Sequence, residues 1–389
     1  MSVAHGRGVL HITTFLQGGA GRAVVSLACA QRARGQDVAV VTSRTAPAGY
    51  GNYPDYLARL REAGVPLLVA DSAFSRELSD SLALARTICE RFDPCRFAIV
   101  HAHAATPALV GLFVAARAHR QLPVVQTMHG WGANKTAEQE TRDLAVLQSI
   151  DRVIVTSGAS RGELVARGVT RDRIDVIPCG IGEASPAAQP VRELEALRQA
   201  GCSVVLCIGS ITRQKNQALV VDAISRLDGG RPVVAVFVGE DTEDPGRLAA
   251  HARAVGVADR VHLFGYRPDA ARLLGAADVL VQPSRAEGQG LAVVEAFRAR
   301  VPVVASDIPP LRELMADGAH GFLFRPDDAA SLAGELRNAL ALNGPRRRTL
   351  LDAAERSFKA RYTVGAMLAS HDRLYTDVAR RTVAGDHAT

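Results

Sequence analysis

Apolar runs of strand length recur along the first part of the chain: GVLHITT, DVAVVTS, VPLLVA, FAIVHAH, LPVVQTM and DRVIVTS. Each is short, rich in β-branched residues and nearly continuous, as expected of strands buried on both faces of a parallel sheet. Between them lie stretches of helical spacing such as AGRAVVSLACAQRARG and LSDSLALARTICERF. The pattern breaks after RIDVIPCGI, where GEASPAAQPVREL reads as a linker. It resumes with SVVLCIGS, PVVAVFVGE, RVHLFG, ADVLVQP, VPVVASD and GFLF. This alternation predicts an α/β protein with two doubly wound Rossmann-like sheets in tandem, facing each other across a cleft. The expected domains are residues 1–182 and 183–360, with 361–389 a C-terminal helix crossing back to the first domain.

Composition narrows the class. A chain of 389 residues, 48% hydrophobic and 22% charged, fits about two globular domains with filled cores. No run reaches the roughly 18 apolar residues of a membrane helix, and the N-terminus leads directly into a strand without a signal-peptide pattern. Six cysteines form no CxxC pair and no zinc-finger spacing, so a reduced, cytoplasmic protein is expected. The net charge of +6 is spread as arginines over helices, with no aromatic-interleaved basic stripe for nucleic acid. Solvated helix faces explain most of it; the sharper alternative is attraction to anionic substrates or to an anionic membrane surface.

The candidate chemistry centres on PSRAEGQGLAVVEAF, Pro283 to Phe297, where Glu287 and Glu295 flank a glycine-rich turn between a strand and a helix. A glycosidase pair would set two carboxyls about 5–9.5 Å apart on opposite sides of a sugar, which one turn and one helix do awkwardly. A helix N-terminus offers more. The amides of Gly290, Leu291 and Ala292 suit a diphosphate, with Gly288 and Gln289 leading in and Gly290 allowing close approach. Glu287 is placed for sugar hydroxyls and Glu295 for a second polyol such as a ribose. The plain alternative is a surface helix with two exposed glutamates. A second stretch, IGSITRQKNQALV, ends a strand at Gly209 and carries Ser210, Arg213 and Lys215 in the following loop. Two cations there can neutralise a departing diphosphate.

Together these residues resemble the retaining GT-B glycosyltransferases of family 4, the glycosyl transferases group 1 type. Pro283-Ser284, Glu287-Gly288-Gln289-Gly290-Leu291, Glu295-Ala296 and Pro302 to Asp307 follow the family's E-x7-E pattern. The chain departs from the family in two places. Ser210 replaces the usual loop arginine, for which Arg213 is the substitute, and Cys179 replaces the asparagine of I-P-N-G-V. In the first half, Gly18 and Gly19, with Gly21, match the family's GG loop near donor phosphate and acceptor. QTMHGWG matches T-x-H-G, whose histidine, His129 here, faces the donor sugar. Tyr266 and Arg267 of LFGYRPD are expected beside the nucleotide base through backbone contacts.

The resemblance implies transfer of a hexosyl unit from a UDP- or GDP-linked sugar to an acceptor hydroxyl, with retained anomeric configuration. It also implies donor binding in the second half and acceptor binding in the first. The leaving phosphate takes the acceptor proton, so no nucleophile–base pair is needed. Catalytic weight falls on His129, Arg213, Lys215 and Glu287, and no separate cofactor is expected. A metal site at His101, His103 and His129 is the minor alternative, since HxH on a strand shares one face; a metal-free enzyme fits better, because no Asp-x-Asp triplet occurs. The acceptor stays open between a sugar, a lipid-linked sugar of bacterial surface polysaccharide and a small soluble molecule. With a lipid-linked acceptor the protein would sit peripherally at the inner face of the membrane. A nucleotide-sugar epimerase, a sugar phosphorylase and a non-catalytic partner subunit are the competing readings. Hinges are expected near Gly180 to Pro190 and near Ala360.

Overall fold

The computed structural model describes residues 8–386 apart from 47–48, 73, 76, 119–120, 133–134, 183–190, 228 and 242. Most of the linker and hinge segment before Pro190 therefore lies outside the described residues. Two compact units emerge, one running to Gly180 and resuming at Val364, the other spanning Ile181–Thr363.

The first unit's sheet contains β1 (Gly8–Ile12), β2 (Val38–Ser43), β3 (Leu67–Ala70), β4 (Phe97–Ala102), β5 (Val124–Met128), β6 (Arg152–Val155) and β7 (Ile174–Val176). Its order is β3-β2-β1-β4-β5-β6-β7, and every pairing is parallel. The second unit's sheet contains β8 (Ser203–Ile208), β9 (Val233–Val238), β10 (Val261–Leu263), β11 (Val279–Gln282), β12 (Val303–Ser306) and β13 (Phe322–Phe324). Its order, β10-β9-β8-β11-β12-β13, is parallel throughout. In each sheet the first strand lies inside, between β2 and β4 or between β9 and β11. That reversal of winding leaves a crevice at the carboxyl ends of the central strands.

Period-two alternation splits each sheet's side chains into two cores. In the first unit Leu10, Ile12, Val100 and Ala102 pack on one face. Val9, Ile99, Val125 and Ile154 pack on the other, beneath Met367, Leu368, Leu374, Tyr375 and Val378 of the last helix, Val364–Asp386. His11, His101 and His103 share parity with Val9 and Ile99, so they lie under that helix too. In the second unit Leu206, Val236 and Leu280 face the helix Leu291–Ala299. Val205, Ala235 and Val281 face the helices Gln217–Ile224 and Ala329–Leu340. Among the described residues no helix is long and apolar enough to cross a membrane.

Candidate functional site

The second unit's site begins with backbone. Gly209, which follows β8, donates its amide to Val238 O at 2.8 Å, and Ile211 donates to Glu240 O at 2.7 Å. The loops after β8 and β9 thus run side by side. They run so close that a Cβ on Gly239 would sit 2.1 Å from Gly209 O. Gln217, first residue of the next helix, holds the turn: its Nε2 donates to Ser210 O at 2.9 Å, and Thr212 N donates to its Oε1 at 3.3 Å. Asn216 takes the left-handed conformation (φ +56) and its Nδ2 donates to Asp327 Oδ1 at 2.9 Å. Of these supporting residues Asn216 was legible as the residue that follows Lys215 at the start of the helix, whereas Gln217 and Gly239 were not.

This loop aims Lys215 at the glycine turn after β11. Its Nζ donates to Glu287 Oε1 at 2.6 Å, with the carboxylate only 7% and the lysine 28% exposed. The same oxygen accepts from Gln282 Nε2 at 2.6 Å and Ser284 Oγ at 2.7 Å. Three donors on one oxygen hold the carboxylate in place. Arg285 laces the two loops together: its amide donates to Gln214 O at 2.8 Å, its Nη1 to Arg213 O at 3.0 Å, and its Nε pairs with Asp327 Oδ1 at 2.7 Å. Arg213 itself is exposed, and its amide donates to Glu243 Oε2 at 2.8 Å.

Gly288, Gln289 and Gly290 follow, all buried. Gly290 caps the helix Leu291–Ala299 at φ +93, where a Cβ would lie 2.8 Å from Leu311 Cδ2, so glycine is required by both conformation and space. The helix has no side-chain cap and no acidic residue in its first turn, which leaves the amides of Leu291 and Ala292 at a positive dipole end. Glu295 is 2% exposed. The picture of a surface helix with two exposed glutamates is thereby set aside. Arg267 is tied to Asp269 through Nε at 2.9 Å and Nη2 at 3.0 Å, and to Glu193 through Nη1 at 3.2 Å. Its guanidinium is engaged within the unit, and neighbouring Tyr266 is half-buried.

In the first unit the GG turn opens the helix Gly18–Ala33, with Gly18 at φ +56 and Gly19 exposed. Gly21 meets the Leu16 backbone, a built Cβ lying 2.5 Å from Leu16 C, so this glycine serves the turn itself. The first unit also holds a chain of histidines. His11 Nε2 meets Gln31 Oε1 at 2.7 Å, and His11 Nδ1 meets His103 Nε2 at 3.1 Å. His103 Nδ1 meets His129 Nε2 at 3.3 Å, and His129 Nδ1 meets Cys179 Sγ at 3.9 Å. Burial pulls His11 and His129 down to about 4, with nearby His371 adding to the effect. Burial holds His101 and His103 well below the usual imidazole range as well, helped by neighbouring imidazoles. Burial pushes the Cys179 thiol up to about 12. All are neutral near pH 7, so His129 can donate or accept a hydrogen bond but carries no charge. The histidine trio brought together is His11, His101 and His103, with one ring nitrogen of each within 4.8 Å of the others. The alternative trio of His101, His103 and His129 is not the one brought together: His11 takes the third place, because β1 pairs with β4 in the register His11↔His101.

Both constellations sit where the order of winding reverses, the usual ligand position of such sheets. The architecture is that of the GT-B glycosyltransferases. Anabaena HepE, solved in complex with UDP and glucose, matches with a TM-score of 0.79 at 20% identity, covering 95% of this chain and 100% of that one. Residues 17–184 match the model of Glycosyltransferase Family 4, and residues 196–356 match that of Glycosyl transferases group 1. The chain belongs to this glycosyltransferase family. A D-inositol 3-phosphate glycosyltransferase of Nocardia farcinica is 28% identical over 266 residues, 62% of this chain and 58% of that protein. The protein of the same name from Mycobacterium tuberculosis H37Ra is 31% identical over 304 residues, 72% of this chain and 62% of its own length. The chain thus spans about three fifths of the length of these relatives.

Proposed function

We propose that this protein transfers a hexosyl unit from a nucleotide diphosphate sugar to an acceptor hydroxyl, with retention of anomeric configuration. The observation that carries the reading is the Lys215–Glu287 pair, held at 2.6 Å between the glycine turns that end β8 and β11. A diphosphate is a stronger anion than a carboxylate already satisfied by Gln282 and Ser284, so Lys215 can turn to the leaving group without abandoning Glu287 to an unpaired state. Lys215, Arg213 and the first amides of the helix Leu291–Ala299 stabilise the charge as the anomeric carbon–oxygen bond breaks. The acceptor oxygen bonds to that carbon, and its proton passes to the departing phosphate oxygen. Glu287 orients hexose hydroxyls, and buried Glu295 accepts from the ribose. The first unit is assigned the acceptor, with Gly18, Gly19 and neutral His129 at its own crevice.

The test is a panel of UDP- and GDP-hexoses offered with D-inositol 3-phosphate first, because the curated relatives are named for it, and with lipid-linked sugars next. A mass increment of one hexose, with the anomeric configuration of the donor, supports the proposal. An inverted product removes retention, and no nucleotide binding at all removes the reading. The rate is expected to be indifferent to added Mg2+, since lysine, arginine and helix amides supply the positive field. Glu295→Gln is expected to weaken UDP or GDP binding by about 1–3 kcal/mol, the worth of a charge-assisted hydrogen bond, or roughly 5- to 150-fold by calorimetry. Untouched nucleotide affinity with collapsed turnover would move Glu295 from the ribose to the chemistry.

A further inference from the structure

The histidines of the first unit outnumber what a single sugar contact needs, and their arrangement is that of a metal site. We propose that His11, His101 and His103 bind one Zn2+ ion beneath the C-terminal helix. One ring nitrogen from each lies within 4.8 Å of the other two, and His11 and His103 are fully or nearly fully buried. His11 Nδ1 and His103 Nε2 are 3.1 Å apart, close to the roughly 3.3 Å that separates two ligands at Zn–N distances of about 2.0–2.1 Å in a tetrahedral site. Neutral imidazole ligands favour a borderline transition metal over the oxygen-seeking Mg2+ or Ca2+.

The surroundings supply the outer shell that such a site requires, in which each ligating imidazole is oriented through its other nitrogen. His11 Nε2 is held by Gln31 Oε1 at 2.7 Å, and His103 Nδ1 by His129 Nε2 at 3.3 Å. His101 meets Tyr375 OH through Nδ1 at 2.6 Å and Thr127 Oγ1 through Nε2 at 2.7 Å. Whichever nitrogen it turns to the ion, the other keeps a hydroxyl partner. The edge of the cluster at His103, beside half-buried His129, is the side from which an ion can enter.

Without metal the same atoms form a directed hydrogen-bond chain. Gln31 Oε1 accepts from His11 Nε2–H, His11 Nδ1 from His103 Nε2–H, and His103 Nδ1 from His129 Nε2–H. Zn2+ needs the lone pair of His103 Nε2, so that proton moves to Nδ1 and is donated to His129 Nε2. The His129 proton then lies on Nδ1, facing Cys179. No proton is gained or lost, but the tautomer of His129 is exchanged.

The experiment uses the full chain without a polyhistidine tag, stripped with chelator and then loaded with Zn2+ or, as a spectroscopic probe, Co2+. One equivalent retained after dialysis, a four-coordinate visible Co2+ spectrum and a raised thermal midpoint are expected. His103→Gln, at the edge of the cluster, is expected to lower Zn2+ affinity by on the order of 100-fold or more, and Gln31→Ala, which touches no ion, by roughly 10- to 100-fold. His11→Gln removes a second ligand, and if it does not fold the other two variants still decide. Retention no greater in the native chain than in His103→Gln, or a Co2+ spectrum of the aqueous ion, overturns the proposal. Nucleotide binding is read separately, through Glu295, so this inference and the proposed function stand or fall independently.

Discussion

Lys215→Ala is expected to lower sugar transfer at saturating donor by on the order of 10²-fold, the worth of one preorganised group facing developing charge. The lysine is the cation that the loop after β8 delivers to the turn after β11, and its partner Glu287 is only 7% exposed. On the proposed reading, removing it takes a positive charge from the leaving group; it also strips the carboxylate of its counter-ion, leaving Gln282 and Ser284 as donors. These two effects separate in a double variant. If Lys215 serves only to neutralise Glu287, then Lys215→Ala with Glu287→Gln recovers activity toward that of Glu287→Gln alone. If it serves the diphosphate, the double variant stays at least as slow as Lys215→Ala. Native turnover in Lys215→Ala would remove the lysine from the mechanism.

Gly239→Ala is expected to be the most damaging of the glycine substitutions near the site. The new methyl would lie 2.1 Å from Gly209 O, 2.4 Å from Gly209 C and 2.8 Å from Ser210 N, all backbone atoms that cannot rotate aside. Overpacking of this kind destabilises by about 1–3 kcal/mol or more, and here relief means pushing the loop that presents Lys215. Urea unfolding of the second unit should shift to a lower midpoint, and nucleotide affinity should fall with it. Gly209→Ala is strained by backbone conformation alone, since its φ is +146 and its Cβ would meet nothing within 4 Å, so it is expected to lose less than Gly239→Ala, which adds the clash. Gly239→Ala as stable and as tight for nucleotide as the native chain would mean that the backbone contact between the loops is absent in solution.

Much of the Lys215–Glu287 site was legible because its signals are local. The spacing of Glu287, Gly290 and Glu295 across a strand–turn–helix unit follows from the chain alone, and so does Lys215 six residues after Gly209. What the spacing left undecided was exposure. A glutamate on a helix following a glycine turn reads equally as solvated or buried until the opposing face is known. Glu295 is 2% exposed because its helix packs on the sheet's Leu280 face. Gly239 escaped notice because the need for glycine there comes from a neighbouring loop, not from its own turn.

The histidines mark the same boundary more sharply. By itself the sequence determined that the strands are short, β-branched and buried on both faces, that two such sheets follow in tandem, and that His101 and His103 share a face. Those are consequences of period two and of near-neighbour chemistry. Only the tertiary structure decided that His11 meets His103 across 92 residues, that His101 meets Tyr375 across 274, and that Lys215 meets Glu287 across 72. Strand order and register set those pairings, and hydrophobic periodicity is the same whichever strands become neighbours. The partners of a buried polar group are therefore chosen by topology, after the local pattern has done no more than put the group inside.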